Sequence, residues 1–295
     1  MPTPAALAKA PLYPCVPNNL IDDPTPKDQA IYVPSVSVGY AVAALPGGTT
    51  RPIPPHLPPN VLDFLSAKND MFRISHAMAS AGQFLNNTKR SIISERDSSR
   101  TRIIGDSGGY QVASGKLKIV DDGTRLRILR WLEANSDIAM TLDVPTGGLG
   151  KHGFAYGSYQ ECLDATVYNL RFFEENRRQD SSTVFLNVIQ GNTVEESIHW
   201  YNTVKDFHFE GWAIAGVLRN DIYHLCRLIL LMHRDGQLQG KRWIHMLGTN
   251  EPGTAVLLTA LQRAVQRHLG HHAPRTVLFQ PHVAMPISAT ASTAT

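Results

Sequence analysis

Arg102-Ile103-Ile104 runs straight into Gly105-Asp106-Ser107-Gly108-Gly109-Tyr110-Gln111, and this join decides the reading of the fold. The apolar run reads as a buried strand. An acid, a hydroxyl, two glycines and an aromatic follow at its end. A carboxylate in that position can point into a cleft, glycines let backbone N–H groups come close to a ligand, and Tyr110 offers a flat face to a planar ring. One such turn is a weak signal, since a solvated Asp in a tight turn looks the same. Repetition along the chain gives it weight.

Further apolar runs follow at Ile138–Leu142, Thr183–Ile189, Trp212–Val217, Trp243–Leu247 and Thr276–Phe279. The stretches between them read as amphipathic helices. Ser158 with Glu161, and Thr193 with Glu196, have capping-box spacing. Leu163, Val167 and Leu170 share one helical face, as do Ile222, Leu225, Ile229 and Met232, and again Leu258, Leu261 and Val265. Apolar strands alternating with helices imply a parallel sheet covered on both faces. Asp106, Asp143, Gln190, Gly216 and Gly248 each fall where a strand gives way to a loop. Polar or glycine punctuation at five successive strand ends favours a (β/α)8 TIM barrel, whose chemistry lies on that rim, over an open doubly wound sheet with one switch point.

Upstream the reading is less regular. Val36–Leu45 alternates weakly and predicts a strand or hairpin. Met71–Ser75 predicts a strand, followed by a polar helical stretch to about Ser99. Counting from Met71 gives about seven strands, so the eighth comes from the N-terminal region or is missing. The expected organisation is a proline-rich segment over 1–60 packing on the barrel, a barrel domain over 61–285, and a disordered low-complexity tail over 286–295.

The chain has 295 residues, of which 43% are hydrophobic, enough for one barrel-sized core. A net charge of +3 permits nucleic-acid binding without demanding it. Cys15, Cys162 and Cys226 are scattered, which predicts a reducing compartment and no cysteine-based metal site. Prolines interrupt the N-terminus where a secretory signal needs an apolar run, and no apolar segment reaches membrane-spanning length. The expectation is a cytoplasmic protein with no membrane partner. His268, His271, His272 and His282 lack ligand spacing and acidic partners, so no metal is expected. Arg263, Arg267, His268 and Arg275 form either a phosphate-binding strip or a solvated helix face, and Arg125, Arg127 and Arg130 pose the same alternative.

Taken in order, Asp106-Ser107-Gly108-Gly109-Tyr110-Gln111, Asp143, Gln190-Gly191, Gly211–Val217 and Leu247-Gly248 resemble the transglycosylases that exchange guanine for a 7-deazaguanine base in tRNA or DNA. The resemblance covers roughly residues 70–250 and implies a (β/α)8 barrel. It implies that Asp106 acts at the glycosidic bond and that Tyr110 stacks on the base. Asp143, Gln190 with Gly191, and the Gly216 backbone would read the purine edge, with Ser107 and Gly109 lining the pocket. Leu142–Thr146 and Leu247–Thr249 look closer to the DNA-acting branch. The tRNA enzymes carry a zinc subdomain with a CxCxxC motif, and those cysteines are missing from this sequence. The family's nucleophilic Asp matches Gln280 here.

The chemistry suits these residue types. A carboxylate can stabilise or trap the sugar carbon as the base leaves, and an incoming base then displaces it. Exchange needs no ATP and no redox cofactor. Guanine offers N1–H and N2–H2 as donors and O6 as acceptor, which an ionised Asp143, the Gln190 amide and a backbone N–H near Gly216 complement. Each residue alone also has a structural reading: a loop cap, a satisfied amide, a turn glycine. The expected partners are DNA, or tRNA as runner-up, and a 7-deazaguanine base, with a homo-oligomer left open. A catalytically silent homologue that binds nucleic acid or an active subunit is the rival from another class.

Overall fold

The computed structural model describes residues 30–49, 52, 54, 57, 60–69, 73–118, 121–249, 251–270 and the strand 276–279. Its strands are β1 (Ile31–Tyr32), β2 (His76–Ser80), β3 (Arg102–Asp106), β4 (Ile138–Met140), β5 (Val184–Ile189), β6 (Gly211–Ile214), β7 (Trp243–Met246) and β8 (Thr276–Phe279). Its helices are α1 (Val38–Ala43), α2 (Ala81–Phe84), α3 (Gly109–Ala113), α4 (Asp122–Asn135), α5 (Tyr159–Asn176), α6 (Val194–Val204), α7 (Ile222–Arg234) and α8 (Pro252–Leu269). The protein is a mixed α/β fold on one curled sheet in the order β1-β8-β7-β6-β5-β4-β3-β2. Every pairing is parallel. Beyond β1 the chain reaches the opposite edge: Ser35 forms a parallel bridge to Met78, with Val36 N donating to the Met78 carbonyl at 2.8 Å.

Side chains sort by strand parity, as a pleated sheet requires. Val184, Leu186 and Val188 of β5 join Ile104, Ile138, Met140, Ala213 and Trp243 in a cluster on the concave face. Phe185 and Ile189 face outward into the helical layer with Trp212, Ile244 and Phe173. Asn187 also faces outward and donates Nδ2–H to the Val204 carbonyl of α6 at 2.7 Å. The expected helical faces are the ones buried, with Leu163, Leu170, Leu225, Ile229, Met232 and Leu258 all in the core. Ser158 and Thr193 cap α5 and α6, accepting from Glu161 N and Glu196 N at 3.2 and 3.1 Å. Glu161 and Glu196 return the favour one residue earlier than expected, accepting from Gly157 N and Asn192 N, both at 2.7 Å.

Two acids organise the N-terminal edge of the sheet. Asp137, just before β4, accepts Ile103 N–H of β3 at 2.7 Å and the Arg96 guanidinium at 3.0 Å. Glu210, just before β6, accepts Phe185 N–H of β5 at 2.8 Å and Arg177 at 2.7 Å. Each acid ties its own strand's start to the neighbouring strand and neutralises an arginine.

Three expectations fail upstream. Val36–Leu45 is not a strand: Ser37 caps α1, and burial falls on Val36, Ala41 and Ala44 rather than on alternate residues. The second strand is His76–Ser80, not Met71–Ser75. Met71 and Phe72 lie outside the described residues, and Arg73–Ser75 only lead in. The helix expected to run to Ser99 stops at Phe84, because Asn87, Ser91, Ser94 and Asp97 spend their side chains on nearby backbone N–H and C=O groups in turns. β1 lies inside the 1–60 segment, so the sheet begins before residue 61 and its eighth strand is N-terminal. The 286–295 tail lies outside the described residues.

Glu210→Ala should lower stability by about 3 kcal/mol, because it removes the counter-charge of the buried Arg177 guanidinium and the acceptor of the Phe185 N–H together. Urea unfolding monitored by tryptophan fluorescence measures this. A loss under about 1 kcal/mol would mean that water replaces the carboxylate at no cost.

Candidate functional site

The opposite, C-terminal edge of the sheet carries the polar residues that its other edge does not need for folding. Asp106 ends β3 and pairs in register with Ser80, which ends β2. Both have the parity of the concave face, set by Ile104 and Met78. The Asp106 carboxylate takes hydrogen bonds from the Ser80 hydroxyl and from the Gly108 and Gly109 N–H groups, which pull its pKa down. Burial outweighs them and raises it. Ser80 has one proton and two acceptors, since its Oγ also lies 3.1 Å from Gln111 Oε1.

Glycine is required in the turn after Asp106. Gly108 has φ +109°, and a Cβ there would lie 2.9 Å from the Gly82 Cα. The missing side chains let the starts of α2 and α3 pack backbone to backbone. Gly109 then faces Asp143: a Cβ on it would come within 3.6 Å of Asp143 Oδ1 and 3.5 Å of Pro145 Cγ.

Asp143 follows β4 and is 4% exposed. Gln190, at the end of β5 and equally buried, donates Nε2–H to Asp143 Oδ2 at 2.6 Å. Burial pushes the Asp143 carboxyl up to about 7, and the Asp106 charge pushes in the same direction against the Gln190 hydrogen bond. Two neighbouring carboxyls, one buried and one partly so, resist being charged together. Next to Gln190, Gly191 closes on Gly216, the first residue of a 3-10 turn after β6. Gly216 has φ +63°, and a Cβ there would lie 2.2 Å from the Gly191 carbonyl oxygen. Ala215 N and Val217 N donate to the Ile189 and Gly191 carbonyls, both at 2.9 Å, locking the two strand ends together.

The structure therefore joins Asp106, Gly109, Asp143, Gln190, Gly191 and Gly216 along one edge. Tyr110 is 64% exposed beside them, with its ring open to solvent. Ser107 is different: it is fully buried and donates its hydroxyl to the Thr141 carbonyl at 3.1 Å, so it holds β3 to β4 rather than facing the pocket. Gln280 lies outside the described residues. Sequence reading missed Ser80 and Gln111, whose roles depend on strand register. It also missed Gly108 as a contact residue.

The remaining candidates separate clearly. Arg125 is held by Asn169 and Asp122, Arg127 by Asn86 and Arg130 by Glu133. These arginines serve the helical layer. Arg263, Arg267 and His268 are exposed along α8, and His268 contacts His233, with 3.1 Å between their Nε2 atoms. His271, His272, Arg275 and His282 lie outside the described residues. Among the described residues no three His, Cys, Asp or Glu side chains converge as a metal site, and no helix is long and apolar enough to cross a membrane. No protein-family model matches the chain, and no curated protein matches it.

The raised pKa of Asp143 sets a stability prediction. Its ordinary value is 3.8, so the fold holds this proton more tightly than the unfolded chain does. That preference is fully present below about pH 4 and is lost as pH rises through 7. Asp143→Asn carries no charge to bury, so it should be more stable than the parent at pH 8, by up to about 4 kcal/mol, with the advantage vanishing towards pH 4. Urea midpoints at both pH values measure it. A pH-independent difference would show that Asp143 titrates normally.

Proposed function

We propose that this chain is a base-exchange enzyme on nucleic acid, replacing guanine in DNA by a 7-deazaguanine base. The observation that carries this reading is the buried Asp143–Gln190 pair beside the Asp106 carboxylate. It combines an acceptor for two adjacent donors, an amide, and a separate acid, Asp106, four residues before the exposed Tyr110 ring. The isolated Ser35–Met78 bridge, from the segment just past β1 to β2, supports a sheet closed as a (β/α)8 barrel. The edge carrying these residues is then the catalytic rim.

In this mechanism the target guanine leaves its stack and enters the pocket, with Tyr110 stacking on it to offset part of the cost. Ionised Asp143 accepts N1–H and N2–H. Gln190 then turns its hydrogen-bonding towards O6, assisted by a backbone N–H at Gly216. An Asp106 oxygen bonds to C1′ as the C1′–N9 electron pair departs with the guanine. N9 of the incoming base attacks C1′ from the vacated side, and Asp106 is released. The proton lost by the incoming base balances the one gained by the departing guanine. A 7-deazaguanine keeps the same Watson–Crick edge, so one pocket serves both bases. The DNA preference rests on the resemblance of Leu142–Thr146 and Leu247–Thr249. The same groups would serve tRNA.

Radiolabelled guanine incubated with duplex DNA or with tRNA tests the reading directly. Label in DNA is expected. Label in tRNA alone would make the runner-up correct, and label in neither would leave a silent homologue that only binds. Asp106→Asn should cut exchange by at least about 10²–10⁴-fold while leaving the circular dichroism spectrum unchanged. Near-normal exchange would remove Asp106 from the chemistry. Asp143→Asn should weaken 7-deazaguanine binding by about 1.5–3 kcal/mol in calorimetry. The parent's affinity should rise from pH 5.5 to 7.5, because the base needs the carboxylate ionised.

A further inference from the structure

Arg219 lies in the 3-10 turn Gly216–Asn220, three residues beyond the glycine pressed against Gly191. Its backbone carbonyl accepts from Thr249 Oγ1 at 3.4 Å, which ties the turn to the loop leaving β7. The residue is thus fixed where the exits of β5, β6 and β7 meet. Its side chain is half-buried, its Nε is enclosed without an acceptor, and burial lowers its pKa with no acid to oppose the shift.

Arg96 Nε is likewise enclosed without an acceptor, so what sets Arg219 apart from the other covered arginines is its ion pairing. Arg96 and Arg102 face Asp137, Arg125 faces Asp122 and Arg177 faces Glu210. Among the described residues Arg219 forms no ion pair. The nearest acid in sequence, Asp221, is already engaged: it accepts His224 N at 3.1 Å and contacts His224 Nδ1 at 2.6 Å. Taking a cation partly out of water with no counter-charge costs stability, and an arriving anion removes that cost. A guanidinium offers a fork of donors matched to phosphate oxygens.

We propose that Arg219 is an anion-binding residue of this site, taking a phosphodiester oxygen of the nucleic acid whose base enters the pocket. The identity of that anion rests on the exchange reading. The existence of the anion site does not.

Two measurements test it on the full chain. In the first, thermal unfolding is followed in sodium phosphate and in sodium chloride of equal ionic strength. Phosphate should raise the melting temperature of the parent more than that of Arg219→Met, and the variant should melt no lower than the parent in chloride. In the second, a fluorescent single-stranded oligonucleotide containing one guanine is titrated at several salt concentrations. Arg219→Met should bind roughly tenfold more weakly, with a log K against log salt slope shallower by about 0.7. Arg219→Lys should keep the slope and lose part of the affinity, and this comparison decides if the Met variant does not fold. An identical phosphate response and identical oligonucleotide binding in parent and variants overturn the site. A lost phosphate response with unchanged oligonucleotide binding overturns the nucleic-acid assignment. Calorimetry of the parent with free guanine is run separately. Absence of base binding there counts against exchange, while the phosphate comparison still decides Arg219.

Discussion

Asp137 and Glu210 each bind the N–H of a neighbouring strand's second residue and a covered arginine, and the sheet's division of labour follows from that arrangement. Parallel strands leave their starts with unpaired donors, and a carboxylate placed one residue ahead of the next strand satisfies them. With Arg177 only 5% exposed at its side chain, the charge cannot be left to solvent. The N-terminal edge therefore pairs its charges inside the fold.

The C-terminal edge is built on the opposite balance. Among the described residues Asp106 and Asp143 stand near each other with no arginine paired to either, and the Gln190 amide donates to Asp143 at 2.6 Å. Arg219, also on this edge, forms no ion pair among the described residues. Like charges gathered together and a cation held apart both cost stability, and neither is needed to hold the sheet. A surface that keeps its acids and its base unpaired is poised to pair them with something else.

How much of this was legible in the sequence depends on what each residue's environment rests on. Strands β3 to β8 announce themselves because a parallel sheet covered on both faces needs unbroken apolar runs. β2 does not, since His76-Ala77-Met78-Ala79-Ser80 is short of β-branched residues and is buried because its neighbours press close. Asp106, Asp143 and Gln190 could be picked out because each interrupts an apolar run at its end. Ser107 could not be told from Asp106 by that rule. The pleat separates them, sending one side chain to the pocket and the other to the Thr141 carbonyl. Ser80 and Arg219 were invisible for a further reason: one depends on register across two strands, and the other on which partners are absent.

The contacts Gly82 with Gly108 and Gly191 with Gly216 constrain how such a chain can diverge. At each contact main chain meets main chain, so adding a methyl group on one partner cannot be answered by shrinking the other, which has nothing left to remove. Single-step drift is closed at these positions whatever the site takes, whereas Tyr110, at the open surface, can be exchanged without moving the scaffold. Distant relatives that have changed substrate should therefore be traced by their paired glycines sooner than by the side chains that touch the ligand.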